Sequence, residues 1–195
     1  REQFDWMNEE PAPQQLQYDW QRVIGPNLWP AALPPLREQL LRLSLRQTEI
    51  AVTLLRALCQ ALGVAWNALD DSFRDGPYTH SKIIRYPGTE ASSQGVGAHK
   101  DPGYLTFVLQ DQQSGLEVEH QGEWLDVEPL SGSFVVNIGE LLELASDGFL
   151  QATNHRVRAP KPGTERFSVA YFMAAQLDAT VPVLDLPAAM KAKSK

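Results

Sequence analysis

Residues Gly95–Gln110 read GVGAHKDPGYLTFVLQ. Small residues and a valine lead into His99 and Asp101, a Pro-Gly pair follows, and residues 105–110 are strong strand formers. Strands alternate their side chains, so in an extended backbone His99 and Asp101 point together while Lys100 points away. The stretch therefore reads as two β segments meeting at a turn, with an imidazole and a carboxylate aimed the same way at the joint. Alone, His-Lys-Asp reads as readily as a surface histidine beside a turn-forming aspartate.

Outward from this stretch, short β-rich runs alternate with Gly, Pro, Asn and Asp breaks. They are KIIRY, VGAHK, LTFVLQ, LEVEH, EWLDV, SFVVNI, TNHRVRA and RFSVAYFM, eight strands between residues 82 and 173. EHQGEW has the glycine of a hairpin turn, and GELLELAS forms one or two helical turns between the sixth and seventh strands, stopping at Gly148. Eight short strands match a jelly roll, so the expected class is mainly β: a double-stranded β-helix with a long N-terminal helix packed against it.

That helix begins after Pro34 and Pro35 and stops at Gly63, with Leu36, Leu40, Leu43, Ile50, Leu54, Leu58 and Leu62 as its predicted core stripe. Cys59 on this helix is expected to be a buried, inert thiol. A shorter helix is predicted from Trp66 to Phe73, completing a helical segment over 35–73. Residues 1–34, rich in Pro, Gln and Trp, read as loop and turns, and residues 174–195 as a C-terminal tail. The Lys-rich end from Met190 to Lys195 reads as frayed and solvated. The 195 residues are taken as one domain.

The chain carries a net charge of −7 and a pI of about 5.1, which offers nucleic acid and anionic lipid no basic field. No apolar run approaches the roughly 18 residues of a membrane span. A single cysteine precludes an internal disulfide and fits a reducing, cytoplasmic location. The chain opens at Arg1 in mid-flow and is expected to be a piece of a longer protein.

Of the four histidines, His80 reads as a loop residue and His120 as part of the hairpin turn, both at the surface. His155 lies in the seventh strand. A jelly roll sets its second and seventh strands side by side, so His99, Asp101 and His155 can converge. Two imidazoles and a carboxylate on one face of a metal form the facial triad of non-haem iron(II) oxygenases. In the last strand Arg166, Ser168, Ala170 and Phe172 share one face, and Phe167, Val169, Tyr171 and Met173 the other. A guanidinium fork with a hydroxyl two residues on suits a carboxylate. An arginine merely paired with Glu165 at the strand end is the plain alternative.

Taken together, RYPG, GVGAHKDPGYLTFVLQD, GLEVEHQGEWLDVEPLSGSFVVNIGELLELASDG, TNHRV and ERFSVAYFM resemble, in order and spacing, the iron(II)- and 2-oxoglutarate-dependent oxygenases of the isopenicillin N synthase-like branch. The upstream GPNLWP and the long helix are also similar to that branch. The resemblance implies His99, Asp101 and His155 as iron ligands, and Arg166, Ser168 and Tyr86 as contacts to the distal carboxylate of 2-oxoglutarate. Phe172 would line the substrate pocket. Asn137 matches the Asn of an NxGD motif in which Glu140 replaces the usual Asp, and its loop reads as structural.

The implied activity is a dioxygenase that oxidises a small organic substrate with O2 and 2-oxoglutarate, releasing succinate and CO2. The implied cofactors are Fe(II) and 2-oxoglutarate, with ascorbate as an optional addition. The resemblance further implies an N-terminal region, carried by full-length members, that this chain is expected to lack. Two other readings stay open on the sequence: an iron-dependent oxidase or cyclase that does without 2-oxoglutarate, and a non-catalytic cupin-like module. Nothing in the sequence selects a substrate, a reaction outcome or an oligomeric state.

Overall fold

The computed structural model describes residues 1–90 and 94–191. Its strands are β1 (Glu2–Met7), β2 (Tyr78–Pro87), β3 (Gln94–His99), β4 (Leu105–Gln110), β5 (Leu116–His120), β6 (Glu123–Asp126), β7 (Val135–Ile138), β8 (His155–Arg158) and β9 (Glu165–Ala174). The helices are α1 (Pro34–Ala61), α2 (Glu140–Ala145) and α3 (Ala188–Lys191). A five-stranded sheet runs β1-β2-β9-β4-β7 and a four-stranded sheet runs β3-β8-β5-β6. All described pairings are antiparallel. This is the expected jelly roll, and the second and seventh of its eight core strands, β3 and β8, do pair.

The large sheet is covered on both faces, which explains why β4 and β9 carry apolar residues almost without interruption. Its outer face packs on α1: Ala51, Leu55 and Cys59 of the helix share a core with Leu105, Phe107, Tyr171 and Met173. The Tyr171 hydroxyl bonds Thr48 Oγ1 at 2.7 Å across this interface, and burial pushes the phenol up to about 12. The inner face turns toward the small sheet around a second, smaller apolar cluster of Ile84, Tyr86, Leu116 and Val157.

Helix α1 starts and stops where its prolines and Gly63 (φ +75°) place it. Its buried stripe is rotated from the leucine pattern and runs through Leu40, Gln47, Ala51, Leu55 and Cys59. Ile50 stands 49% exposed, while Leu43, Leu54 and Leu58 lie on the shoulders. Of the predicted stripe, Leu40 and Leu62 are buried, and Ala51, Leu55 and Cys59 take the contact line between them. Cys59 is buried as expected, and desolvation raises its thiol pKa.

Three segments differ from the sequence reading. Residues 1–34 are not all loop: β1 adds an edge strand to the large sheet, paired with β2 from Glu2↔Arg85 to Met7↔His80. Trp6 anchors it, fully buried, with its indole N–H donated to Ser44 Oγ on α1 at 2.9 Å. The predicted helix over Trp66–Phe73 is a run of turns ending in a 3-10 helix at Asp70–Phe73. The tail is docked through Leu184 and Leu186, both buried in the helix-side core, and ends in α3. Residues 192–195 of the Lys-rich end lie outside the described residues.

The β5–β6 hairpin turns at Gln121 and Gly122, both at positive φ (53° and 82°), as a two-residue primed turn requires. Helix α2 ends through Gly148, whose N–H is donated to the Glu143 carbonyl at 2.9 Å.

The rotated stripe makes a direct prediction. Leu55→Ala should cost about 2–5 kcal/mol of stability, and Ile50→Ala less than about 1 kcal/mol. Urea unfolding of the two variants beside the native chain reads the difference; equal losses would place the leucine stripe back at the interface.

Candidate metal centre and adjoining cleft

Helix α2 and the loop before it hold the Asp101 corner rigid. Gly139 and Gly103 meet backbone to backbone here: a Cβ on Gly139 would sit 2.0 Å from the Gly103 carbonyl oxygen, and one on Gly103 2.3 Å from that of Met173. The Asp101 carbonyl accepts the Glu140 N–H at 2.8 Å. The Pro-Gly signal is therefore a close-packing requirement as well as a turn. Across the corner, Glu143 takes the Ala152 N–H (2.8 Å) and the Lys100 ammonium (3.0 Å), tying the Asp101 loop to the loop that enters β8. These bonds hold the Glu143 carboxyl below its usual range.

The β3–β8 register sets His99 opposite His155. His99, Asp101 and His155 each offer an atom to a cluster whose members all lie within 4.8 Å. His99 Nε2 is 3.6 Å from Asp101 Oδ1, and His155 Nε2 is 3.6 Å from Asp101 Oδ2. These separations are too long for hydrogen bonds. The Nδ1 atoms face backbone carbonyls, Gly97 O at 2.9 Å and Thr153 O at 3.0 Å. A carbonyl only accepts, so each Nδ1 carries a proton, and it is Nε2 of each ring that is turned toward the cluster. Asp101 Oδ2 is buried with no hydrogen-bond partner. Two imidazole nitrogens and a carboxylate converging on one point are a donor set that suits a metal cation. Asp101 and His155 are buried, and His99 forms the exposed edge at 40%.

The even-numbered residues of β9 face the same cleft as the triad, in the alternation expected from sequence. Register rows across the large sheet give the layout. One row is Met7, His80, Phe172, Thr106 and Asn137; the next is Asp5, Lys82, Ala170, Val108 and Val135; Gln3, Ile84, Ser168 and Gln110 follow, then Tyr86 beside Arg166. Arg166 is 0% exposed, yet only its Nη2 has a hydrogen-bond acceptor, Gln110 Oε1 at 2.9 Å; Nε and Nη1 have none. The Tyr86 ring lies 5.2 Å from the guanidinium carbon. Desolvation lowers the pKa of this group. The pairing of Arg166 with Glu165 does not occur, because Glu165 points the other way and bridges Arg85.

Sequence reasoning placed seven residues at this site, and the structure gathers all of them: His99, Asp101, His155, Tyr86, Arg166, Ser168 and Phe172 line one cleft. It missed four. Gln110 orients Arg166 while its own amide is donated to the Val127 carbonyl at 3.2 Å; its position at the end of LTFVLQ, on the Thr106 face, was the available signal. Thr106 and Asn137 are register partners whose Oγ1 and Nδ2 are buried without partners, so Asn137 faces the site as well as bracing its loop. His80 is a correction. It lies within β2, half-buried, its ring 5.8 Å from Phe172 and its Nε2 without a hydrogen bond. His120 is exposed as expected, though it ends β5 before the turn.

A jelly roll that brings two imidazoles and one carboxylate to the mouth of its cleft defines the class of double-stranded β-helix proteins with a mononuclear metal site. The comparisons narrow this. Residues 78–175 match the 2OG-Fe(II) oxygenase superfamily, and the chain belongs to that family. It is 32% identical over 200 residues to the 2-oxoglutarate-dependent dioxygenase frbJ of Dothideomycetidae sp., covering 98% of this chain and 54% of that protein. It is 34% identical over 170 residues to a homoarginine-6-hydroxylase of Arabidopsis thaliana, covering 83% and 51%. The fold superposes on the crystal structure of JOX2 in complex with 2OG, Fe and JA with a TM-score of 0.78 and 24% identity, covering 94% of this chain and 52% of that one. The chain thus spans about half the length of the curated relatives it matches. No described helix is long and apolar enough to cross a membrane.

Two outcomes test the site's charges. Replacing Asp101 with Asn removes the anion from the acceptor cluster, so anaerobic iron(II) should no longer co-elute with the protein on desalting, at unchanged circular dichroism. For His80, burial is the main cause that lowers its pKa below 6.5, with Lys82 adding and Asp5 opposing. The unfolded chain then binds this proton more readily, so His80 makes stability fall as pH drops below about 6.5. His80→Gln should flatten the urea midpoint against pH in that range; an unchanged slope would refute it.

Proposed function

We propose that the chain is the catalytic jelly roll of a non-haem iron(II) dioxygenase that oxidises a small organic substrate with O2 and 2-oxoglutarate. The observation that carries this reading is the pair of unmet groups in one cleft: a His-Asp-His cluster at one end, its Asp101 Oδ2 buried without a partner, and at the other a buried guanidinium with two nitrogens that lack acceptors. A buried unpaired charge costs several kcal/mol, so both sites call for partners of opposite sign. A divalent cation answers the first and a carboxylate the second; 2-oxoglutarate is a dicarboxylate that can span the two.

His99, Asp101 and His155 would hold the iron. Bound iron(II) with 2-oxoglutarate and dioxygen supplies the oxidising chemistry, yielding succinate and CO2 with the oxidised product. The protein's own residues bind and orient. Arg166 anchors the distal carboxylate, with Ser168 and Tyr86 beside it; Gln110 fixes the plane of the guanidinium. The Gly97 and Thr153 carbonyls hold the two rings with Nε2 toward the metal. Ile84, Val108 and Ala170 keep the wall between the two ends apolar. The relatives with curated names include a homoarginine-6-hydroxylase and a 1-aminocyclopropane-1-carboxylate oxidase, which supports small organic molecules as the substrate class.

The test is the visible charge-transfer band of an iron(II)–2-oxoglutarate chelate under anaerobic conditions. The native chain should show it. Arg166→Gln should lower 2-oxoglutarate affinity by about a hundredfold or more while iron stays bound. Iron binding with no band would favour the oxidase that does without 2-oxoglutarate, and no iron binding would favour the non-catalytic module.

A further inference from the structure

We propose that Lys82 is a substrate-recognition residue and that the small organic substrate bears a carboxylate, which the Lys82 ammonium binds beside the Phe172 ring. This rests on the oxygenase reading above and deepens it by naming the charge the substrate carries.

Lys82 lies on the inner face of β2, in the same cleft as the His-Asp-His cluster and Arg166. Its Nζ sits 5.5 Å from the centroid of Phe172, whose register row also holds Thr106 and Asn137. Lys82 is half-buried, and among the described residues no carboxylate reaches it in an ion pair. The nearest candidate in register, Asp5, is engaged elsewhere: it accepts the Gln3 amide at 2.9 Å and stands 3.9 Å from His80 Nε2. Asp101, the only acid among the described residues that line the cleft, belongs to the metal cluster. The chain carries a net charge of −7, yet among the described residues none of its acids, its cross-strand partner Asp5 included, forms an ion pair with this ammonium.

The cosubstrate does not need Lys82. Its two ends are provided for by Arg166 and the metal, and Arg166 pairs in register with Tyr86, four residues along β2 from Lys82. Arg1, next to the Glu2–Arg85 pair, is at that same far end. Around Lys82 the wall is otherwise apolar, with Ile84, Ala170, Val108 and Phe172. One ammonium in such a wall balances one negative charge. A phosphate dianion would bring a second charge with no second cation on the Lys82 row to meet it, so the matching group is a carboxylate on an otherwise apolar body.

The experiment uses the chain loaded with zinc(II) and 2-oxoglutarate, which fills the site without turnover, and titrates two probes by fluorine NMR: para-fluorophenylacetate and its neutral amide, para-fluorophenylacetamide. The native chain should bind the acid about tenfold more tightly than the amide, the worth of one charge-assisted hydrogen bond. Lys82→Gln should abolish this preference while leaving the affinities for the amide and for 2-oxoglutarate unchanged; Lys82→Arg should retain it. No tighter binding of the acid by the native chain, including no binding of either probe, overturns the proposal. So does a fall in 2-oxoglutarate affinity in Lys82→Gln, which would assign the lysine to the cosubstrate. Failure of the native chain to bind 2-oxoglutarate at all would overturn the cosubstrate reading and this site with it.

Discussion

The register of β9 between β2 and β4 is the constraint on which the rest of the molecule depends. Odd-numbered residues Tyr171 and Met173 enter the core under α1, and even-numbered residues Arg166, Ser168, Ala170 and Phe172 enter the cleft. A slip of one residue would exchange the two sets, burying a guanidinium under the helix and exposing apolar side chains to the cleft. Two features oppose the slip. The Tyr171–Thr48 hydrogen bond ties one face to α1, and the Gln110–Arg166 bond ties the other to β4. The same register that builds the hydrophobic core therefore positions the proposed cosubstrate anchor.

The cleft is built at a cost to the empty fold. Arg166 is buried with two nitrogens unpaired, Asp101 with one oxygen unpaired, and Thr106 and Asn137 with one polar atom each. In a core selected for stability alone, apolar residues of similar size would serve at least as well. The backbone around them is, by contrast, fully tied down: the Glu140 N–H on the Asp101 carbonyl, Gly139 against Gly103, and Glu143 between Lys100 and Ala152. Rigid surroundings with unmet charges at the centre describe a site prepared for ligands, because the surrounding structure supplies the order that the charges themselves oppose.

Much of this was legible in the sequence because strands have a period of two. That period showed that His99 pairs in orientation with Asp101 and that Arg166, Ser168 and Phe172 share a face; only the β3–β8 neighbourhood required knowledge of topology. The misses have physical reasons. In β1, EQFDWM mixes charged and apolar residues because an edge strand has one free side, and its pairing with β2 is about eighty residues distant in sequence, beyond any local pattern. In α1 the contact line runs through Gln47, Ala51 and Cys59 as well as Leu40 and Leu55. Hydrophobic periodicity underweights the first three, so it finds Leu40 and Leu62 but sets Leu43, Leu54 and Leu58 on the line when they lie on its shoulders. His80 was taken for a loop residue because Gly76 and Pro77 precede it closely, although β2 already begins at Tyr78.

The two sheets divide the labour unequally, and this bears on why the substrate was the hardest property to read. The small sheet contributes His99 and His155, and the corner after it Asp101. The large sheet contributes the anchor row of Tyr86 and Arg166 and the rows of Ile84, Lys82 and Phe172, facing Val96, Leu116 and Val157 of the small sheet. Metal and cosubstrate are answered by residues whose chemistry is specific enough to stand out: paired imidazoles, a carboxylate, a guanidinium. A substrate contact needs only one charge at the right register position, and a lysine in a strand has no signature until its neighbours are known. Lys82 becomes informative through what surrounds it, a ring at 5.5 Å, an aspartate engaged elsewhere and an apolar wall. The metal cluster and Arg166 are answered by iron and cosubstrate, and the ammonium on the row between them is the charge that speaks to the substrate.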